Sequence, residues 1–147
     1  MLSKTSRLIG LFSVLLGICG CTGSDTPSVA PVSGRVMYKD KPVVGAHVNF
    51  SPETGGRIAS GVTDSSGRYS IGTYKTDDGA VLGKHKISVI AHGPNRPLRA
   101  GEVGSGMPGE KVPGDPIIPT QYFVPESSGL THEVVRGGND MPLNLTD

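Results

Sequence analysis

From Val32 onward the apolar residues of this chain recur at every second position, in runs too short for a helix, and each run is cut by a cluster of Gly, Pro or Asp. Val32, Gly34, Val36 and Tyr38 share one side of an extended chain and Ser33, Arg35 and Met37 the other, until Lys39-Asp40-Lys41-Pro42 supplies a turn. Side chains of a strand alternate between its faces, so this spacing predicts a strand with one buried face. Ala46, Val48 and Phe50 repeat the pattern before Pro52 and Gly55-Gly56. Ile58 to Thr63, Arg68 to Tyr74 and Lys84 to His92 continue it, and Leu130 to Val135 and Met141 to Leu145 complete it. The 22 Gly and 12 Pro, with no Trp, argue the same way, because both residues weaken helices. The expectation is an all-β domain over 32–147, a small β-sandwich of seven strands whose apolar faces meet in one core, with the strand order left open.

Turn chemistry is explicit in places. In Asp64-Ser65-Ser66-Gly67 the aspartate can accept backbone N–H bonds from the turn it opens, and Gly67 can adopt the positive φ that closes a hairpin. Gly45 lets the chain leave the preceding turn and enter a strand with a small inward residue, Ala46. Arg136-Gly137-Gly138-Asn139-Asp140 reads as a hairpin turn between the last two strands. Residues 93–118 carry six Gly and five Pro without any period, so they read as a mobile surface loop, with Arg96, Arg99, Glu102 and Glu110 as solvated charges. Tyr122 is expected to pack against the sandwich.

The N-terminus has a different texture. Lys4 and Arg7 precede Leu8 to Ile18, an apolar stretch interrupted only by Gly10, Ser13 and Gly17. A spanning helix needs about 20 predominantly apolar residues, and here the polar run Thr22-Gly23-Ser24-Asp25-Thr26-Pro27-Ser28 follows with no basic flank. Residues 1–20 therefore read as a cleaved signal peptide. Ile18-Cys19-Gly20-Cys21 resembles the bacterial lipobox, with Gly20 as the small residue before the cysteine; Cys19 instead follows the bulky Ile18. Cys21 is the expected lipidation site, its acyl chains anchoring the protein at about 0.8 kcal/mol per buried methylene. Residues 21–31 then form a flexible tether. Thr22, rather than aspartate, after the cysteine leans toward an outer membrane by resemblance to the sorting rule of diderm bacteria.

Removal of residues 1–20 leaves 127 residues, enough for one domain, with 12 basic against 13 acidic side chains. That balance excludes a nucleic-acid field. No cysteine follows Cys21, which excludes a disulfide framework and thiolate chemistry in the domain.

Candidate chemistry rests on few residues. His47, His85, His92 and His132 lack the i, i+3 or i+4 spacing of a helical metal site. A hydrolase or metal-dependent binding site would require some of His47, His85, His132 and Asp64 to share a cleft; otherwise His85, on the side of Ile87 and Val89, is a core histidine bonded to backbone. Asp64 and Asp77-Asp78 are oxygen donors of the kind calcium takes, but no EF-type loop surrounds them and turn geometry accounts for Asp64. Gly104-Ser105-Gly106 lacks the Gly-x-Ser-x-Gly form of a nucleophile elbow.

Val32-Ser33-Gly34-Arg35-Val36, Lys41-Pro42-Val43-Val44-Gly45-Ala46-His47-Val48, Thr63-Asp64-Ser65-Ser66-Gly67-Arg68-Tyr69 and Leu82-Gly83-Lys84-His85-Lys86-Ile87-Ser88-Val89 together resemble the carboxypeptidase regulatory-like domain, over residues 32–92. The ending, with Ile118-Pro119, Tyr122, Ser128-Gly129-Leu130-Thr131 and Gly137-Gly138-Asn139, resembles lipid-anchored bacterial members of that group. The resemblance implies a transthyretin-like, prealbumin-like Greek-key sandwich of seven strands. The family identifies architecture and not activity; the leading expectation from the whole chain is a non-catalytic envelope module without cofactor or metal, structural or binding toward protein or carbohydrate, with its membrane contact through Cys21. Hydroxyisourate hydrolases, which are transthyretin relatives, end in Tyr-Arg-Gly-Ser. This chain ends Leu143-Asn144-Leu145-Thr146-Asp147, so their chemistry is not implied.

Overall fold

The computed structural model describes residues 26–147; the signal-peptide and lipidation readings, Cys21 included, lie outside the described residues. The chain is all-β, with one short 3-10 helix at Thr120–Phe123 among the described residues. Seven strands are three residues or longer: β1 Val32–Tyr38, β2 His47–Pro52, β3 Ala59–Val62, β4 Arg68–Ser70, β5 Gly83–Ile90, β6 Leu130–Val134 and β7 Leu143–Leu145. One sheet has the order β6-β5-β2-β3, antiparallel throughout. The other is centred on β1, which pairs antiparallel with β4 and Lys41–Pro42 and parallel with Asn139–Asp140 and β7.

The two sheets give their alternating apolar residues to one cluster. Val36 from β1, Val48 and Phe50 from β2, Ile71 after β4, and Ile87 and Val89 from β5 are all 0% exposed. Each such side chain stabilises the fold by roughly 1.5–3 kcal/mol. Residues 118–128 link the sheets along one side. There the Tyr122 hydroxyl donates to the Thr146 carbonyl and accepts from the Thr146 amide, both at 3.1 Å, and the Ser128 hydroxyl donates to the Ile87 carbonyl. Tyr122 is buried, as its sequence context predicts.

Register gives the sandwich two ends. Val29–Ala30, paired with Ala80–Val81, lies at one, together with the 53–58 and 72–79 turns and residues 136–138. At the other lie Lys39-Asp40, Asp64–Gly67, the segment after β5, and Asp147. Lys39 and Asp40 have φ of 51° and 61°, the signature of a tight two-residue hairpin turn joining Tyr38 to its partner Lys41.

Three connections differ from the sequence expectation. The Asp64–Gly67 turn forms: the Asp64 Oδ1 accepts from the Ser66 and Arg68 amides at 2.8 and 2.9 Å, and Gly67 has φ +75°. Its arms are joined by Asp64 N–H donating to Arg68 O and again by reciprocal bonds between Ser60 and Gly72. Between those points, however, Arg68–Ser70 pairs with β1, so the hairpin changes sheets midway. Residues 136–140 form no hairpin turn at all, since β6 belongs to one sheet and β7 to the other. Asn139 organises this crossover by bonding Val135, Gly137 and Pro31.

Residues 93–118, expected as a mobile loop with solvated charges, instead extend β5 as a narrow ribbon in which Arg96–Pro97 pairs with Lys111–Val112. Arg96 donates to both Glu102 oxygens at 2.8 and 2.7 Å, and Arg99 to both Asp115 oxygens at 3.2 and 2.8 Å. The Arg96 hydrogen bonds, with the Arg99 amide behind them, lower the Glu102 carboxyl to about 2. A Gly- and Pro-rich segment that gives only Ile118 to the core is thus held largely by paired charges.

Candidate functional site

The residues singled out from sequence do not converge. Gly45, Asp64 and Gly67 shape one end of the sandwich, where the Thr63 hydroxyl donates to Val43 O at 2.6 Å and accepts from Ala46 N at 2.8 Å. Asp64 directs its carboxylate into its own turn, and those hydrogen bonds lower its pKa. His47 stands exposed on the outer face of β2. His85 and His132 are cross-strand partners on the inner face, with ring centroids 6.0 and 6.4 Å from that of Phe50. His85 is 1% exposed and donates through Nδ1 to Gly83 O at 3.0 Å; burial lowers its pKa. The Nε2 of His132 is buried without a hydrogen-bond partner among the described residues. His92 packs edge-on against Phe123 at 5.1 Å. The constellation of His47, His85, His132 and Asp64 therefore does not form, and only the two inner histidines are neighbours. Among the described residues no group of three or more His, Cys, Asp or Glu side chains is arranged to hold a metal ion.

A concave site does exist, built, apart from Asp77, from residues without a motif in the sequence. Beside the β3–β4 hairpin lies an open groove of about 660 Å³, within the range of small-molecule clefts. Gly61 and Gly72 are among its lining residues. A Cβ on Gly61 would sit 2.1 Å from Ser70 O, and one on Gly72 2.4 Å from Lys75 O, so both positions require glycine for the chains to approach this closely. Its rim carries Arg57, Ser60, Ser70, Tyr74, Lys75 and Asp77.

The loop bearing Tyr74 is fixed by Asp78, whose carboxylate accepts from the amides of Thr73, Tyr74 and Lys75 at 2.6, 3.1 and 2.9 Å. Despite partial desolvation, these bonds hold the Asp78 carboxyl below its ordinary pKa. The Thr73 hydroxyl donates to Gly79 O at 2.7 Å. The Tyr74 ring, 36% exposed, is thereby presented from a rigid base, with the Arg57 guanidinium 5.7 Å from its centroid. Asp77 and Asp78, weighed from sequence as oxygen donors, thus have separate places: Asp78 caps the loop and Asp77 lines the groove. The signal that points here is faint in sequence, a Tyr-Lys pair before Asp-Asp, and its partner Arg57 is 17 positions away.

No protein-family model matches the chain, and no curated protein does. Among solved structures, the crystal structure of a 9R-lipoxygenase from Cyanothece PCC8801 aligns with 99% of this chain and 18% of its own, at 17% identity and a TM-score of 0.42. That likeness is too low to carry an argument about fold or activity. The chain spans less than a fifth of the lipoxygenase it aligns with.

Proposed function

We propose that the chain is a lipid-anchored, non-catalytic module of the cell envelope, a seven-stranded transthyretin-like sandwich that presents a binding surface to a saccharide or protein partner. The observation that carries this reading is the apolar stretch Leu8 to Ile18 ending in Ile18-Cys19-Gly20-Cys21, with the polar run Thr22 to Ser28 behind it; the tether expected over 21–31 is shorter than that, because Val29–Ala30 pairs with Ala80–Val81 and Ala30 is buried. Supporting it, the seven longer strands divide three and four between two sheets, and the groove beside Tyr74 offers recognition groups. The residues after Cys21 favour the outer membrane.

Membrane fractionation with intact-mass analysis tests the anchor. Cys21→Ala is expected to move the protein from the membrane to the soluble fraction and to abolish the acyl mass on the N-terminal peptide. Retention of Cys21→Ala in the membrane, or a wild-type peptide without acyl mass, refutes it.

A further inference from the structure

We propose that the groove between Arg57 and Tyr74 binds an acidic saccharide of the uronic-acid class, which rests on the reading of the domain as a binding module. Neither Arg57 nor Lys75 has a carboxylate within ion-pair distance among the described residues, although both border the same groove. The ribbon shows the contrast: Arg96 and Arg99 are both held bidentate by carboxylates. Two cations without carboxylate partners bordering one concavity attract an anion, and Arg57, although its guanidinium lies over the Tyr74 ring, keeps its in-plane N–H donors for a carboxylate.

The exposed part of Tyr74 adds a second requirement. The part of the Tyr74 ring that Arg57 does not cover is held rigid by the Asp78 cap and offers apolar surface at low entropic cost, which matches the C–H groups of a pyranose ring better than a bare inorganic anion. Ser60, Ser70 and Asp77 provide hydroxyl and carboxylate partners for ring hydroxyls, with Asp77 also disfavouring a second negative charge at that wall. The groove is open along its length, so it suits an internal unit of a longer polymer.

Calorimetry on the full chain in detergent micelles tests this, with a galacturonic-acid trisaccharide, a neutral glucose trisaccharide and inorganic phosphate as probes. The expected result is millimolar or tighter binding of the acidic trisaccharide, at least tenfold weaker binding of the neutral one, and no competition by phosphate. Tyr74→Ala is expected to weaken uronate binding about tenfold. Arg57→Gln is expected to erase the preference for the acidic sugar, and in both variants an unchanged melting temperature shows that the fold is intact. Absence of uronate binding, equal affinity for the neutral sugar, or displacement by phosphate overturns the proposal. Since Cys21 plays no part in this assay, its failure is distinguishable from failure of the anchor, which fractionation alone reports.

Discussion

Gly45 and Gly67 have nearly the same backbone conformation, φ +69° and +75°, but very different surroundings. Around a Cβ at Gly45 there is nothing within 4 Å, whereas at Gly67 it would lie 2.8 Å from Val36 O and 2.9 Å from Pro42 Cβ. Replacing each with alanine separates two costs. The left-handed conformation costs an L-residue roughly 1–2 kcal/mol, partly offset by the reduced entropy of the unfolded chain. Overpacking against backbone and a rigid proline adds roughly 1–3 kcal/mol. Gly45→Ala is therefore expected to lose about 1 kcal/mol and Gly67→Ala about 3 kcal/mol. At roughly 4 °C per kcal/mol for a domain of this size, the melting temperatures should fall by about 4 and 12 °C. Thermal unfolding followed by circular dichroism, with urea titration for the free energies, measures both. Equal losses in the two variants would show that the contact with Val36 and Pro42 is absent, and no loss in Gly67→Ala would falsify the turn itself.

Asn139 is 7% exposed and satisfies the Val135 amide and the Val135, Gly137 and Pro31 carbonyls through one side chain. Asn139→Ala removes the side-chain partner of Val135 N–H, Val135 O and Gly137 O, while Pro31 O keeps its bond from the backbone N–H of residue 139, and is expected to cost about 2–3 kcal/mol in urea unfolding; a loss below about 0.5 kcal/mol would mean that water replaces the amide fully. Burial, opposed by the bond to Gly83 O, holds the His85 pKa below 6.5, and His132 beside it contributes in the same direction as burial. The unfolded chain thus binds a proton near pH 6.5 that the folded chain resists, so the stabilisation is complete above that pH and is lost as pH falls below it. Unfolding free energies between pH 8 and 5 should decline from near 6.5, and His85→Phe should flatten that decline. A His85→Phe variant with the wild-type slope would assign the effect elsewhere.

Strand positions were readable because alternation is a local property: Val36, Val48, Phe50, Ile87 and Val89 were all placed inward by spacing, and all are fully buried. Sheet membership was not readable, because it depends on distant partners. Arg68–Ser70 looked like the return arm of a hairpin, but β1 captures it, and a strand expected to run to Tyr74 ends early where Asp78 takes the amides of residues 73–75. Gly137-Gly138-Asn139 has the composition of a hairpin turn, and only the bond from Asn139 to Pro31, 108 positions away, reveals a crossover between sheets. The groove escaped notice for the same reason. Arg57 and Tyr74 meet because Ser60 and Gly72 exchange backbone bonds, and neither residue belongs to a motif.

The pairing of Val29–Ala30 with Ala80–Val81 has a mechanical consequence. Any pull through the residues before Thr26 reaches this two-residue ladder first, and so short a ladder parts with the loss of only the small Ala30 and Ala80 contacts at the edge of the core. The load then meets β1, which is bonded along both edges, parallel to β7 on one side and antiparallel to β4 on the other. Tension along β1 shears those ladders together rather than unzipping them one bond at a time. The short ladder acts as a yielding link, and β1 as the bolt behind it.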